Sequence, residues 1–379
     1  MAKDCPAIAI DHLELYVGNA KQSAYVYQQQ FGFALTAYRG LETDTTSPLR
    51  ENRHTASYLL EQGDVRLVIS GGLTPATPIG DWVKRHGDGV AVIAFQVEDA
   101  HEAYHLAVDR GAIPAVQPTT LDDGLGYFRY AAIQAYGDIL LKFVERSPNT
   151  TAFAPGFRAL SSLTGDMPPL RDHHPLFSQV DHVVANVEAG KMDYWTQFFR
   201  DVLGFELLVQ FDDRTITTGQ SALMSKVLQD PTGRIKLPIN EPGQGHKTSQ
   251  ITEFLHYHQG PGVQHVALQT SDIIQTVHWL KTQGVRFLQP PPLYYETVEA
   301  RVGAIAEDLE QLRTLGILVD RDRQGYLLQI FTEPLSDRPT LFFEIIQRNG
   351  AIGFGEGNFK ALFTSIEREQ EKRGNSYIN

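Results

Sequence analysis

The sequence repeats itself at long range, and this repeat limits the possible folds more than any other feature. Residues 10–33 and 180–205 both open with an apolar residue followed by Asp-His. Each then passes through a β-like stretch and an aromatic helical segment to Gly-Phe. Two further pairs align in the same order, 87–112 with 260–285 and 138–146 with 340–348. Three aligned blocks in one order indicate a duplicated unit.

Each aligned block has the pattern of a strand followed by a helix. The apolar run 263–268 fits a buried strand, and Ile273, Val277 and Leu280 recur at helical spacing. Two such blocks in each half predict four strand–helix–strands modules and an α+β fold. An insertion at 286–325 occurs in the second half alone, with a Pro-rich start and a predicted helical stretch.

The repeat also predicts the domain organisation. Residues 1–150 form a first domain and residues 177–379 a second, both long enough to bury a core of their own. Residues 151–176 are rich in Pro, Gly and polar side chains, and this composition is typical of a linker.

The two halves carry chemically different side chains at two of three aligned positions. His12 aligns with His182, Val92 with His265, and Lys142 with Glu344. The second half therefore offers two imidazoles and a carboxylate, whereas the first offers one imidazole, an isopropyl group and an ammonium. Two His and one carboxylate leave coordination positions open, as in non-heme Fe(II) oxygenases. If the halves fold alike, we expect the second to hold a metal and the first to lack one.

Each candidate ligand also has an ordinary structural interpretation. A single His among 13 is more often a surface or core residue than a ligand. Glu344 lies in the apolar run LFFEII, where an unpaired buried carboxylate is costly, so a salt bridge or a strand edge is its alternative. We expect His173 and His174 to face solvent, and we interpret His256 and His258, at i, i+2 strand spacing, as structural.

Composition excludes several classes of function. The net charge is −12, with no run of Lys or Arg, which argues against nucleic acid or an anionic membrane as a partner. A single cysteine, Cys5, fits a reducing compartment. The sequence shows neither a signal-peptide pattern nor an apolar stretch of about 20 residues, the length that crosses a bilayer. We therefore expect a cytoplasmic globular protein.

The second half contains the long motifs KLPINEP (236–242), GVQHVAL (262–268), LVDRDRQGYLLQIFTEPLSDRPTLFFEIIQR (318–348) and GFGEGNFKALFTSIE (353–367). In these motifs the sequence resembles the 4-hydroxyphenylpyruvate dioxygenase family, of the vicinal oxygen chelate superfamily. The resemblance covers 176–373 and extends more weakly through the first half. It implies the vicinal oxygen chelate fold, in which four βαβββ modules form two open β-barrel-like domains, the first without metal. A C-terminal helix forms a lid.

The resemblance also implies an activity and its residues. One Fe(II) per chain is implied on His182, His265 and Glu344, with O2 as co-substrate. The implied reaction converts 4-hydroxyphenylpyruvate to homogentisate and CO2, with ring hydroxylation and side-chain migration. The implied substrate-binding residues are Ser225, Pro238, Asn240, Gln250, Gln264, Gln329, Phe331, Phe342, Phe354, Asn358, Phe359 and Phe363. Catalytic roles are implied for Ser225, Asn240, Gln264, Gln329 and Phe331. Members of the family are homo-oligomers, so we expect a dimer or a tetramer.

The position of Gln264 stays open at this point, and so do two other functions. Strict strand alternation turns Gln264 away from His265, so either a bulge intervenes or Gln264 acts indirectly. A 4-hydroxymandelate synthase uses the same substrate and the same three ligands, although Pro238, Asn240 and Phe331 follow the dioxygenase pattern. A non-enzymatic binding protein of this fold is the third possibility, and the retention of all three metal-facing residues weighs against it.

Overall fold

The structure, a computed structural model, describes residues 5–43, 53–122, 124, 126–147, 153–160, 175–211, 223–243 and 248–374. His173 and His174 lie outside the described residues. Within the described ranges the strands form two sheets, one from each half of the chain. No helix of the described chain is long and apolar enough to span a bilayer.

The first sheet is built from two successive βαβββ modules. Its elements are β1 (Ala9–Tyr16), α1 (Ala20–Phe31), β2 (Ala34–Arg39), β3 (Thr55–Gln62), β4 (Val65–Gly72), α2 (Pro78–His86), β5 (Gly89–Gln96), α3 (Ala100–Asp109), β6 (Pro114–Asp122), β7 (Tyr127–Gln134), β8 (Leu140–Arg146) and β9 (Arg158–Ala159). The strand order is β6-β7-β8-β5-β1-β4-β3-β2-β9. The first strands of the two modules, β1 and β5, are therefore antiparallel neighbours at the centre.

The second sheet repeats this arrangement. Its elements are β10 (Gln179–Asn186), α4 (Met192–Leu203), β11 (Glu206–Phe211), β12 (Leu223–Gln229), β13 (Lys236–Pro242), α5 (Gln250–His258), β14 (Gly262–Gln269), α6 (Ile273–Thr282), α7 (Val298–Val302), α8 (Leu309–Leu315), β15 (Leu318–Arg321), β16 (Tyr326–Phe331), β17 (Phe342–Asn349) and α9 (Glu356–Lys372). The order β11-β12-β13-β10-β14-β17-β16-β15 again places the first strands of the modules at the centre. The four predicted βαβββ modules are confirmed.

The duplication extends to the ends of the helices. The Gly-Phe pair that closes the first repeat block ends α1 at Gly32 and α4 at Gly204, both left-handed, with φ of 72° and 73°. Only glycine adopts this conformation without strain, which explains the repeated Gly. Asp99 and Asp272 cap the N-termini of α3 and α6 by accepting hydrogen bonds from backbone N–H groups.

One prediction of local structure is wrong, and another is refined. His256 and His258 lie on helix α5 instead of a strand, because Ser249 caps the helix and accepts a hydrogen bond from the amide of Thr252. In the insertion 286–325 the predicted helical stretch consists of a 3₁₀ turn (Pro292–Glu296), α7 and α8. The last part of the insertion forms strand β15, which pairs with β16 and completes the fourth module.

Part of the predicted linker packs on the first sheet. Residues 158 and 159 form β9, which pairs with the edge strand β2. Phe157 is buried with Ala37 and Leu59 of that sheet, and Phe153 packs against the same cluster. The described part of this segment therefore belongs structurally to the first half.

A histidine pair between α2 and α5 forms one of the contacts between the two halves. The Nδ1 atom of His86 lies 2.7 Å from the carbonyl oxygen of His258, and its Nε2 atom lies 2.9 Å from the carboxylate of Asp138. The two imidazole rings are 4.4 Å apart, and the ring of Phe254 stacks on His258. Burial, reinforced by His86, lowers the pKa of His258 to about 3.

This pKa predicts how stability changes with pH. In the unfolded chain His258 has an ordinary pKa of 6.5. The unfolded state therefore binds more protons between pH 6.5 and about 3, and the free energy of unfolding falls as the pH falls through that window. We expect acidification from pH 6.5 to pH 5 to cost about 2 kcal/mol more in the natural protein than in His258→Gln. Denaturant titrations at both pH values measure this difference, and equal losses would contradict the assignment.

Candidate metal centre

The three candidate ligands lie on three neighbouring strands at the centre of the second sheet. His182 is on β10, His265 on β14 and Glu344 on β17. His182 and Glu344 both pair with Ala267, from opposite sides of β14, and His265 lies two residues before Ala267. Because side chains two residues apart share a face, this register places the three side chains on one face of the sheet.

Two β-bulges complete the arrangement. The pairing of β10 with β14 skips Asp181 on one strand and Gln264 on the other. An extra residue in one strand interrupts the strict alternation of side chains. Gln264 can therefore lie on the same side as His265, and both line one cavity. Of the two alternatives for Gln264, the structure contains the bulge.

The ligand atoms converge on one point. The Nε2 atoms of His182 and His265 lie 3.2 Å and 3.4 Å from Oε2 of Glu344. Across the described residues, this is the one group of three His, Cys, Asp or Glu side chains whose ligand atoms lie within 4.8 Å of one another. All three residues are buried, with exposed fractions of 3%, 7% and 2%.

Because His182 and His265 form hydrogen bonds to neighbouring side chains through Nδ1, their Nε2 atoms stay free for a metal ion. Nδ1 of His182 donates to Oδ1 of Asp181 over 2.7 Å, and Nδ1 of His265 donates to Oε1 of Gln264 over 2.9 Å. Each Nε2 therefore keeps its lone pair, the tautomer that metal ligation requires. Two imidazole nitrogens and a carboxylate oxygen are a donor set that fits Fe(II).

The negative charge of Glu344 is balanced when Glu344, His182 and His265 share a cation. Burial opposes the ionisation of Glu344, but the neighbouring His182 and His265 outweigh it and hold the pKa of this carboxyl below its usual range. Burial likewise opposes protonation of His182, yet the charge of Glu344 raises the pKa of this imidazole. Burial lowers the pKa of His265. A proton on His182 therefore competes with a metal ion for the same position.

An ion pair that sequence reasoning missed supports His182. Arg348 binds both oxygens of Asp181, at 2.6 Å and 2.8 Å, and so fixes the carboxylate that holds the imidazole. The repeat contained this information, because Arg146 aligns with Arg348 and Asp11 with Asp181. In the first half Arg146 also binds Asp11 through both of its oxygens.

The first half keeps these contacts of Arg, Asp and His but lacks the other two ligands. His12 hydrogen-bonds Asp11 at 2.5 Å, and Phe153 packs edge-on against His12, as Phe354 does against His182. The position of Glu344 is taken by Lys142, whose ammonium lies 5.0 Å from the centre of the Tyr130 ring. Burial lowers the pKa of Lys142. An ammonium group has no lone pair for a metal.

The face of the sheet that carries the three ligands borders a cavity lined by polar and aromatic side chains. Ten of the twelve predicted substrate-binding residues line it, namely Ser225, Pro238, Asn240, Gln250, Gln264, Gln329, Phe331, Phe354, Phe359 and Phe363. Sequence reasoning missed the apolar wall that Val184, Leu223, Val227 and Leu362 add. Val184, Leu223 and Val227 share the strand alternation of ordinary core residues, and Leu362 has the helical spacing of an ordinary amphipathic helix, so neither pattern marked them as cavity residues.

The other two predicted residues lie beside the cavity. Phe342 stacks on the ring of His265, with ring centres 4.9 Å apart, and lines a neighbouring cavity. Asn358 donates from Nδ2 to Oε1 of Gln329 over 3.1 Å, and Gln329 donates to Oε1 of Glu344 over 3.2 Å. Both residues thus contact side chains of the site.

Helix α9 covers the cavity. Phe354 precedes this helix, and Phe359 and Phe363 lie on it and face the cavity. Near its C-terminal end Arg373 forms an ion pair with the buried Glu253 of α5, with contacts of 2.8 Å and 3.1 Å. The preceding Gly355 is left-handed, with φ of 75°. The helix therefore closes the site and is fixed at its far end.

Comparison with known proteins agrees with this geometry. Residues 179–330 match the model of the Glyoxalase/Bleomycin resistance protein/Dioxygenase superfamily. Residues 43–155 match the model described as Hydroxyphenylpyruvate dioxygenase, HPPD, N-terminal. The chain is 40% identical to a 4-hydroxyphenylpyruvate dioxygenase of Yarrowia lipolytica, over 96% of this chain and 93% of the relative. The enzyme of the same name from Danio rerio is 42% identical, over 96% and 91%. The chain belongs to the 4-hydroxyphenylpyruvate dioxygenase family.

Solved structures extend the comparison to the fold. A triple mutant of 4-hydroxymandelate synthase from Streptomyces coelicolor superimposes with a TM-score of 0.83 at 33% identity, covering 96% of this chain and 99% of that one. A fusion of a xylose isomerase-like TIM barrel with a 4-hydroxyphenylpyruvate dioxygenase gives 0.72 at 22% identity, over 97% and 53%. The predicted family, the predicted fold class and the expectation of an enzyme are thereby confirmed.

Removal of any one ligand tests the metal centre. We expect His182→Ala, His265→Ala and Glu344→Gln each to weaken Fe(II) binding by more than the roughly 10–100-fold typical of losing an outer partner. Anaerobic equilibrium dialysis with metal analysis measures this, and circular dichroism checks the fold. Binding of natural strength in any of the three variants would contradict the ligand assignment.

The first half supplies the matched control. His12→Ala and Lys142→Ala alter the aligned positions of a half without the ligand set. We expect both variants to bind as much Fe(II) per chain as the unaltered protein does. Loss of iron in either variant would show that the metal lies in the other half.

Proposed function

We propose that this protein is a 4-hydroxyphenylpyruvate dioxygenase that converts 4-hydroxyphenylpyruvate and O2 to homogentisate and CO2. One observation carries the proposal. In a chain of this family, His182, His265 and Glu344 direct three ligand atoms to one point beside a cavity closed by an aromatic helix. The donor set leaves three positions of an octahedral ion open. Such openings serve a chelating substrate and O2.

We propose that one Fe(II) per chain occupies this point, on Nε2 of each His and Oε2 of the Glu. When bound, the ion supplies the redox chemistry and adjacent coordination positions for the 2-oxo acid and for O2. The surrounding side chains fix these three ligands. Gln264 orients His265 through Nδ1, and Asp181 does the same for His182. Gln329 holds the second oxygen of Glu344, so Oε2 is the oxygen left for the metal.

The cavity suits a phenol-bearing ring. Phe331, Phe354 and Phe359 provide aromatic faces near the metal position, against which a ring packs edge-on or offset. Polar side chains lie on the wall of the same cavity, including Asn240, whose Nδ2 donates to Asn186 over 3.3 Å. Oε1 of Gln250 is buried and has no hydrogen-bond partner among the described residues. A buried acceptor without a donor is costly, and the substrate's phenolic O–H satisfies it.

In this proposal helix α9 acts as a lid that keeps water out of the cavity. Because α9 and its Phe359 and Phe363 close the cavity, water is excluded while the 2-oxo acid is decarboxylated. Exclusion of water strengthens the electrostatic interactions at the buried ligands and limits side reactions. Ser225 and Asn240 position the ring so that the carbon bearing the side chain faces the metal.

A 4-hydroxymandelate synthase is the second candidate, since a mutant of such an enzyme superimposes closely. It shares the three ligands and differs in the carbon that is hydroxylated. Pro238, Asn240 and Phe331 line the cavity in the pattern we expect of the dioxygenase, and they favour the first candidate. A non-enzymatic binder is disfavoured, because the ligand set lost from the first half is intact in the second.

We further propose a homo-oligomer, a dimer or a tetramer, in the cytoplasm, with a small molecule as the functional partner. Family membership supports the oligomer. The net charge of −12 supports neither nucleic acid nor an anionic membrane as a partner. Sedimentation of the purified protein measures the oligomeric state.

Product identification tests the proposed reaction. Purified protein loaded anaerobically with Fe(II) and then given 4-hydroxyphenylpyruvate and O2 should form homogentisate, with one CO2 released per substrate. The ferric protein should be inactive until it is reduced. Glu344→Gln is the matched control and should form no product. Hydroxymandelate as the main product would overturn the proposal in favour of the synthase, and O2 uptake independent of substrate would contradict both.

A further inference from the structure

The two oxygens of Glu344 have different neighbours. Oε2 faces the Nε2 atoms of His182 and His265. Oε1 points away from them and accepts a hydrogen bond from Nε2 of Gln329 over 3.2 Å. The orientation of the carboxylate therefore depends on where the amide of Gln329 is held.

The amide of Gln329 is itself held by a buried chain of hydrogen bonds. Its Oε1 accepts from Nδ2 of Asn358 over 3.1 Å, and Oδ1 of Asn358 accepts from the hydroxyl of Tyr294 over 2.5 Å. Gln329, Asn358 and Tyr294 are only 2%, 1% and 9% exposed. Each amide donates with its nitrogen and accepts with its oxygen, so reversal of either amide breaks two bonds. A single hydrogen-bond donor at the end of this series of hydrogen bonds therefore fixes the orientations of both amides.

Tyr294 is well placed to be that donor. Its oxygen accepts from the backbone N–H of Val319 over 2.7 Å and from Nη2 of Arg301 over 3.0 Å. With both acceptor positions used, the hydroxyl proton lies toward Oδ1 of Asn358, at 2.5 Å, because the carbonyl oxygen of Val319, at 2.8 Å, already accepts a hydrogen bond from Nη2 of Arg301. Burial raises the pKa of Tyr294 to about 12, so the hydroxyl keeps its proton at neutral pH.

The same network reaches the first turn of the lid. Nη1 of Arg301 donates to Oδ1 of Asp320 over 2.8 Å, and Oδ2 of Asp320 accepts the backbone N–H of Gly357 over 2.8 Å. Gly357 and Asn358 are adjacent residues of α9. The lid helix is thus attached at neighbouring residues to Asp320, to Tyr294 and, through Gln329, to Glu344.

We propose that Tyr294 and Arg301 are positioning residues that hold Glu344 in its metal-binding orientation through Asn358 and Gln329, so that closure of the lid and formation of the metal site are coupled. This inference rests on the proposed role of Glu344 as a metal ligand. Both residues lie in the insertion 286–325, which the first half lacks. The half that has the insertion is therefore also the half that has the carboxylate to orient.

The neighbouring Tyr295 offers a matched control. Its hydroxyl donates to the backbone carbonyl oxygens of Leu312 and Ile317, at 3.2 Å and 2.9 Å. It is thus a tyrosine of the same insertion whose hydroxyl bonds lie elsewhere. A general effect of losing a buried hydroxyl should appear in both Tyr→Phe variants, whereas an effect on Glu344 should appear in one.

The test measures Co(II) binding, followed by visible absorbance in the absence of substrate and O2. We expect Tyr294→Phe to weaken Co(II) binding about 10-fold, within the range for loss of an outer partner, and Tyr295→Phe to leave it unchanged. Arg301→Lys, which loses the fork that binds Tyr294 and Asp320, should give a smaller loss and serves if Tyr294→Phe does not fold. In an Asn358→Leu background Tyr294→Phe should have no further effect.

The outcomes separate this inference from the proposed function. If the natural protein binds no Co(II), the metal centre itself is wrong and the proposed function fails. If the natural protein and Tyr294→Phe bind Co(II) equally, the positioning role is overturned while the proposed function stands. Equal losses in the Tyr294 and Tyr295 variants, or additive losses with Asn358→Leu, would also overturn it.

Discussion

The burial of the Glu344 carboxylate is the interaction on which the rest of the second half depends. A charge on a central strand costs several kcal/mol unless a cation and hydrogen bonds compensate it. His182, His265 and Gln329 surround it, and the charge of Glu344 raises the pKa of His182. A proton meets this need in the absence of metal, and a divalent ion meets it better. These electrostatics favour a cation at the site.

Duplication explains why such a site exists in one half only. Both halves keep the bulged central strands, the Asp-His pair and the distant Arg that fixes the Asp. This frame orients one imidazole in each half. In the first half Lys142 takes the place of the Glu344 carboxylate, and Phe153 packs edge-on against His12. In the second half His265 and Glu344 complete the ligand set, and α9 covers a cavity beside it.

Sequence periodicity and the repeat were sufficient to predict the four modules, because strand and helix periods are local. Aligning the halves also brought the three candidate ligands together, since equivalent strands occupy equivalent places. The helix that carries His256 and His258 was missed, because its short i, i+2 spacing also fits a strand. The orientation of Gln264 depended on a bulge, which is a property of strand pairing. The series of hydrogen bonds from Tyr294 to Glu344 joins residues that are far apart in sequence, and no local sequence pattern predicts such contacts.

Anomalous diffraction at the iron edge, on crystals of protein loaded anaerobically with Fe(II), tests the central claim most directly. The account predicts a single ion per chain, within bonding distance of Nε2 of His182, Nε2 of His265 and Oε2 of Glu344, with its other positions facing the cavity. An ion bound in the first half, or one bound in the second half without Glu344, would contradict it.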